Sequence, residues 1–530
     1  MVSCASKQEV DLLIVNATIY TVDNDFTTVS ALAVKDGNII AVGSDDALLK
    51  SYTSTQRIDL DKKPVYPGFI DAHCHFYGLG LHQQLVDLVG TKSFEEVIDR
   101  VKAFYKDKEV SVIRGRGWDQ NDWEVKKFPT KEQLDELYPS IPVVLERIDG
   151  HAYIVNQKAL DLAGITVATK VAGGSVEINN GELTGVLVDT PMALVDQVLP
   201  KPTLEESSEA LKKAEQISFS YGLTTVNDAG LNKEVITLID SLQTIKALKI
   251  RVYAMISNNE DNLAYYLPRG IIKTDRLYVG AVKVYADGAL GSRGAALKAP
   301  YTDKPNHYGA MITTQEKLFS LANRIAKSNY QMNTHAIGDS ANIAVLRAYT
   351  QALSDLKSRR WKVEHAQITS PIDFDFYKNG IIPSIQPTHA TSDMYWVEDR
   401  LGSDRMNGAY PFKSLLKASG TLALGTDFPV EQVSPFLTFY AAITRQDQEG
   451  YPKSGFTPKE LLSREETLKG MTIWAAHSNF QEKERGSIEV GKMADFIVLN
   501  KDLMKVPVVE IPTTKVLATY VNGELVYDGN

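Results

Sequence analysis

The stretch Tyr66-Pro-Gly-Phe-Ile-Asp-Ala-His-Cys-His75 is a short apolar run, bounded by Pro67 and Gly68, that ends in two histidines one residue apart. In an extended strand the side chains at i and i+2 leave the same face, so His73 and His75 would project together. Two imidazoles converging at a strand end make half of a metal site. Taken alone, His-x-His is equally a chance pair at a strand terminus. What decides is whether the rest of the chain brings further ligand-type residues to the ends of other strands.

From residue 65 to 482 the chain alternates strand-like and helix-like segments. The candidate strands are Gly68–His75, Thr224–Ala229, Arg251–Ile256, Ala281–Asp287, Gln331–Ile337, Lys362–Ala366, Ile382–Thr388 and Thr421–Asp427. Between them lie amphipathic stretches such as Gln315–Ser328 and Ala341–Lys357, as the helical period requires. About eight β-then-α repeats are the pattern of an α/β fold of the (β/α)8 TIM-barrel type, whose active site lies at the C-terminal strand ends. One connection is out of proportion. The residues between the first and second strands exceed any simple crossover, and they carry β-like runs of their own at Val110–Gly115, Pro142–Asp149 and Ala172–Val188. Residues 76–215 are therefore expected to form an inserted subdomain over the barrel mouth.

The two ends of the chain share a different texture. Asp11–Val15, Ala31–Val34 and Asn38–Val42 near the start, and Ala494–Leu499 and Val516–Tyr527 near the finish, read as short strands, the last turning at Asn522-Gly523. The opening segment reads as an antiparallel unit. Neither end has enough strand to bury a face alone. Residues 8–64 and 483–530 are therefore expected to pack together as one small β-sandwich, with the barrel inserted between them.

Bulk composition narrows the function classes. The chain has 530 residues, 44% of them hydrophobic, and a formal net charge of −9 with both signs interspersed. That argues against a nucleic-acid surface. No run approaches the roughly 20 apolar residues of a membrane-spanning helix. The two cysteines, Cys4 and Cys74, make no disulfide framework, and alternation turns Cys74 away from its flanking histidines. Met1–Ser6 resembles the junction of a lipoprotein signal without its apolar region, so anchoring through Cys4 stands as an alternative to a soluble, cytoplasmic location.

Four further positions carry ligand chemistry. Lys283 lies within the apolar run Gly280-Ala-Val-Lys-Val-Tyr-Ala-Asp-Gly288. An inward ammonium must be paired, neutralised or modified; on position alone an outward lysine, or one paired with Asp287, fits as well. His335 and His365 each close a strand that follows a helix, and Asp427 closes the last. An aspartate before Phe428-Pro429 could instead be a loop or capping residue. As part of a metal site it would bind an ion and take the proton of an attacking water.

In order along the chain, His73, His75, Lys283, His335, His365 and Asp427 resemble the metal site of the amidohydrolase superfamily. Gly117-Trp-Asp119, Asp149-Gly-His-Ala-Tyr-Ile-Val-Asn156, Asp287-Gly-Ala-Leu-Gly-Ser-Arg293 and Gln386-Pro-Thr-His389 further resemble its YtcJ-like and N-substituted formamide deformylase subgroup. The resemblance implies one or two divalent ions, zinc first, and a carbamate formed on Lys283 from carbon dioxide. It implies hydrolysis of a carbon–nitrogen bond in a small amide or formamide, and it makes room for a homodimer. A metal of this kind lowers the pKa of water from about 15.7 to about 7. Ester or lactone hydrolysis is the alternative on the same site, and a scaffold without catalysis is disfavoured by the complete ligand set. Candidate substrate contacts are His151, Arg293, His389 and Trp118. Each has a plainer reading: Arg293 as an ion-pair partner, His151 as a structural hydrogen-bonding residue, Trp118 as core.

Overall fold

In the computed structural model, which describes residues 7–108 and 110–529, the apolar runs of the middle segment become eight parallel strands. They are β1 (Phe69–Cys74), β2 (Leu223–Leu231), β3 (Arg251–Ser257), β4 (Leu277–Tyr285), β5 (Gln331–Ala336), β6 (Lys362–His365), β7 (Ile382–Ile385) and β8 (Ala423–Leu424), adjacent in that order. Every expected strand is present. Each pairs parallel with the next, and helices such as Gln315–Ala326 and Asp339–Ala352 fill the crossovers. The ring closes by backbone bonds between its ends: Asp427 N–H donates to His73 C=O at 2.8 Å and His75 N–H to Phe428 C=O at 2.8 Å.

The opening decapeptide spans two sheets. Pro64–Pro67 pairs with Phe496–Leu499 in a sheet built from the termini, and Gly68 is the joint before β1. A Cβ on Gly68 would lie 2.3 Å from Thr224, so only glycine lets the chain turn this close to β2. The terminal segments form a four-stranded and a six-stranded sheet that share one apolar cluster, with Ile14, Leu32, Val65, Phe496 and Tyr520 among its members. The opening unit is not purely antiparallel. Leu12–Val15 pairs parallel with Arg57–Asp59, and Thr18–Tyr20 parallel with Pro64–Pro67. The residues between them, including the helix Asp45–Ser51, provide the long crossover that parallel pairing requires. The C-terminal hairpin turns at Asn522 and Gly523, both at positive φ, as a tight two-residue turn demands.

Between β1 and β2 lies a six-stranded mixed sheet with its own core, centred on Trp118, Trp123, Leu145, Ile154 and Val186. Trp118 is fully buried there and its indole N–H donates to Leu145 C=O at 2.8 Å. It is a packing residue and not a substrate contact, because an indole that finds both apolar cover and an acceptor inside a sheet has nothing left to offer a cavity. Cys74 is likewise buried. Cys4 lies outside the described residues. Among the described residues no helix is long and apolar enough to cross a membrane.

The barrel is tied to the terminal sheets by a buried ion pair. Arg251, at the start of β3, sends Nε to Asp495 Oδ2 at 2.6 Å and Nη2 to Asp495 Oδ1 at 3.0 Å. Removing one partner of such a pair leaves an uncompensated buried charge. Asp495→Ala is expected to cost about 3 kcal/mol, read as a lower urea midpoint than that of the wild-type protein.

Candidate metal centre

The ligand-type residues meet at the seam where β8 returns to β1. Asp71 clips the seam: its Oδ2 accepts from the Thr426 hydroxyl at 2.7 Å, and its Oδ1 accepts from Thr426 N–H at 3.1 Å and His73 N–H at 3.2 Å. Burial pushes its carboxyl up to about 7, against the pull of those bonds. The clip sets His73 on β1 and Asp427 just beyond β8 face to face. His75, at the N-terminus of helix Phe76–His82, is the most accessible of the group.

Distances converge on Asp427. Its Oδ1 is 3.6 Å from His73 Nε2 and 3.3 Å from His75 Nε2, and its Oδ2 is 3.6 Å from His389 Nε2 and 3.9 Å from His365 Nδ1. Two triplets result, His73–His75–Asp427 and His365–His389–Asp427, in each of which one ligand atom per residue lies within 4.8 Å of the others. His335 joins through its ring, 4.7 Å from that of His365 and 5.1 Å from that of His151 between centroids. Lys283 is buried with Nζ 3.0 Å from His73 Nε2.

The donors fit a divalent cation. His335 Nε2, His389 Nε2 and Asp427 Oδ1 are all buried without a hydrogen-bond partner, a costly state that a bound ion relieves. The ring orientations suit it as well. His73 Nδ1 meets Glu364 Oε2 at 2.6 Å and His365 Nδ1 meets Gln386 Oε1 at 2.7 Å, so each ring turns its Nε2 atom away from that partner, for His73 towards Lys283 and Asp427, as in metal-bound histidines with an outer hydrogen-bond partner. Burial, reinforced by neighbouring positive groups, holds His335 and His365 well below the ordinary histidine range, which keeps them in the neutral form that ligates. Burial alone would raise Asp427, but His75, His73 and His365 hold its carboxyl well below the usual carboxylate range. Burial also lowers Lys283 to about 8.

Two backbone positions in this cluster are strained. His365 has φ +72° and Asp427 has φ +62°, a region that non-glycine residues rarely enter. The turn at His365 has a visible result: Glu364 and His365 are sequence neighbours that a regular strand would send to opposite faces, yet both reach the barrel interior.

The cluster opens into a cavity of about 970 Å³ lined from two sides. The barrel gives His75, Lys283, His335, His365, His389 and Asp427, and the sheet between β1 and β2 gives Asp119, Glu146, Arg147, Asp149 and His151. His151 and His389 thus both line the cavity. Arg293 does not line it; its guanidinium grips Asp303 at 3.1 and 2.8 Å, the ion-pair role that its flexible stem and the nearby carboxylate favour. Burial favours the neutral ring at His151, but the hydrogen bond and charge of Asp189 outweigh it and hold this imidazole up to about 9. Glu364, Gln386, Asp71 and Asp189 were not among the sequence candidates.

Fold and site together define a class: a metal-dependent hydrolase on a TIM-type α/β barrel. The chain belongs to the amidohydrolase family, whose model matches residues 56–527. It is 34% identical to the Arabidopsis thaliana protein LONG AFTER FAR-RED 3 over 98% of this chain and 91% of that protein. It is 31% identical to the putative amidohydrolase YtcJ of Bacillus subtilis (96% and 98% covered), and 26% identical to the N-substituted formamide deformylase of Arthrobacter pascens (98% of each). An uncharacterized metal-dependent hydrolase from Pyrococcus horikoshii superposes with a TM-score of 0.77 at 28% identity, covering 94% of this chain and 98% of that one. The protein is therefore a metal-dependent amidohydrolase of the YtcJ-like subgroup, a hydrolase of carbon–nitrogen bonds other than peptide bonds.

Gly425 is where the seam is tightest. A Cβ there would lie 2.5 Å from His73 N and 2.7 Å from Asp71 Oδ1. Gly425→Ala is expected to part β8 from β1, lowering both the melting temperature and the metal bound per chain, as read by calorimetry and elemental analysis.

Proposed function

We propose that the protein hydrolyses a formamide or a closely related amide of a small amine, with His73, His75, Lys283, His335, His365 and Asp427 as the metal ligands. The observation that carries this is the convergence of His73, His75, His365 and His389 on Asp427, beside buried nitrogens of His335 and His389 and a carboxylate oxygen of Asp427 that have no hydrogen-bond partner. When bound, a divalent ion, zinc by preference for imidazole and carboxylate donors, supplies a Lewis acid and a water that ionises near neutral pH. The rest is the work of the chain.

Asp427, ionised and facing the cavity, takes the proton of the attacking water and returns it to the leaving amine. His151 and His389 contact the substrate from opposite walls, one from the sheet between β1 and β2 and one from the helix after β7. Lys283 is the carbamate site: a buried amine that loses its proton near 8 is available as a nucleophile toward carbon dioxide, and the anion formed suits a pocket of neutral imidazoles better than an ammonium does. The formamide reading rests on the relationship to the Arthrobacter enzyme together with the subgroup motifs retained here. In domain terms, residues 8–64 with 483–530, 65–482 and 76–215 act as sandwich, catalytic barrel and mouth-covering insertion.

Four outcomes are expected. Dialysis against a chelator abolishes turnover of N-formyl amines, and zinc restores it in proportion to the metal rebound; turnover that survives complete metal removal overturns the reading. Asp427→Asn lowers kcat by about 10²-fold or more with an unchanged circular dichroism spectrum. Glu364→Gln weakens metal binding by about 10- to 100-fold, measured by competition with a chromogenic chelator. For Lys283, a carbamate resonance is expected in 13C spectra of protein metallated in labelled bicarbonate, absent from Lys283→Ala.

A further inference from the structure

The sheet between β1 and β2 carries a carboxylate–imidazole pair that the ligand set does not explain. His151 Nδ1 lies 2.6 Å from Asp189 Oδ1, and the Asp189 side chain is only 3% exposed. Antiparallel pairing of Ala152 with Val188 brings the two residues together. Asp189 N–H donates to His151 C=O at 3.0 Å, and His151 N–H donates to Asp149 Oδ1 at 3.0 Å. The ring is thus held at its backbone and at Nδ1.

Asp189 adopts φ +59°, a left-handed backbone that non-glycine residues rarely enter. Its carboxylate enters the loop after β4, between two glycines of the Asp287-Gly-Ala-Leu-Gly-Ser-Arg-Gly294 run. A Cβ on Gly288 would lie 2.3 Å from Asp189 Oδ2, and one on Gly294 would lie 2.4 Å from it. Neither glycine has the left-handed backbone that would call for glycine on conformational grounds. What both provide is room. The loop is itself fixed by Asp287, whose carboxylate accepts from Ala296, Ile337 and Gly338 N–H at 2.8–2.9 Å.

We propose that Asp189 is a positioning residue, seated in a socket formed by Gly288 and Gly294, which holds His151 with Nδ1–H turned inward and Nε2 presented to the substrate. The segment between β1 and β2 then contributes a fixed part of the catalytic centre as well as a wall. The assignment of Nε2 to substrate rests on the hydrolase reading above. The socket and the ring orientation do not.

The test uses full-length, metal-loaded protein with 15N-labelled histidine. Long-range 1H–15N spectra of the wild type are expected to show His151 protonated at Nδ1, assigned by its loss in His151→Gln. In Asp189→Ala that pattern disappears while bound metal per chain is unchanged. Gly288→Ala, which leaves Asp189 in the chain but fills its socket, has the same effect. Asp189→Asn, which keeps an acceptor oxygen, restores the pattern. With N-formylbenzylamine, the Asp189→Ala and Gly288→Ala variants lose about tenfold or more in kcat at similar KM, and the double variant is no worse than either single one, because both remove one interaction. An unchanged His151 pattern in Asp189→Ala overturns the proposal whether or not formamides are substrates, and so do additive losses in the double variant. Absence of turnover by the wild type bears on the substrate reading alone.

Discussion

Two backbone hydrogen bonds, from Asp427 N–H to His73 C=O and from His75 N–H to Phe428 C=O, hold the structure to its function. They join the first barrel strand to the last, and they involve the backbone of three residues of the site, His73, His75 and Asp427. Asp71 reinforces them from below, accepting from both the backbone and the hydroxyl of Thr426. A barrel that failed to close here would lose its core and its site together. Closure also sets the approach of Gly425 to His73, too close for any side chain.

Once the seam is shut, the problem is electrostatic. Imidazoles, carboxylates and two lysines are withdrawn from water inside one barrel, where an unpaired ion costs several kcal/mol. The arrangement interleaves signs. Glu364 lies between His73, Lys362 and Lys283, and together these groups hold its carboxyl below the usual range despite burial. Lys362 is fully buried, its Nζ 2.8 Å from Asn479 Oδ1, and burial lowers it to about 8. One consequence is that the charge of Glu364 is directed at His73 Nδ1, which fixes that ring and turns its other nitrogen towards Lys283 and Asp427. Another is that His335 and His365 have no carboxylate within hydrogen-bond distance, so they stay neutral.

The barrel was legible because its strands are buried on both faces and read as apolar runs, and because ligands at strand ends recur in a fixed order. His73 and Asp427 could be picked out for that reason. Glu364 could not, since strand alternation assigns the interior to it or to His365 but not to both; only the left-handed backbone at His365 admits the two, and no residue-level pattern announces such a turn. Trp118 and Arg293 show the opposite failure. Each sits in a motif that resembles the subgroup, but one motif builds the core of the sheet between β1 and β2 and the other an ion pair with Asp303. Asp189 was invisible because its partners, Gly288 and Gly294, are about 100 residues away along the chain and a glycine gives no sign of which distant side chain needs its room.

Positive φ occurs at many positions of the chain, Val22, Phe26 and Lys62 in the terminal segments among them, and at three residues of the site region it sets the position of a functional group. His365, Asp427 and Asp189 all take positive φ, and each is tied to neighbours that could not hold it if it relaxed. His365 is bonded to Gln386, Asp427 is bonded through its backbone to His73, and Asp189 is wedged between two glycines. At about 1–3 kcal/mol apiece, three such residues would destabilise an isolated loop beyond recovery. They persist because the closed ring, and the sheet between β1 and β2 that shares its cavity, hold the chain around them. The same rigidity that opposes relaxation keeps the ring nitrogens and the carboxylate pointing at one spot before any ion or substrate arrives, which is the preorganisation that hydrolysis at a metal centre requires.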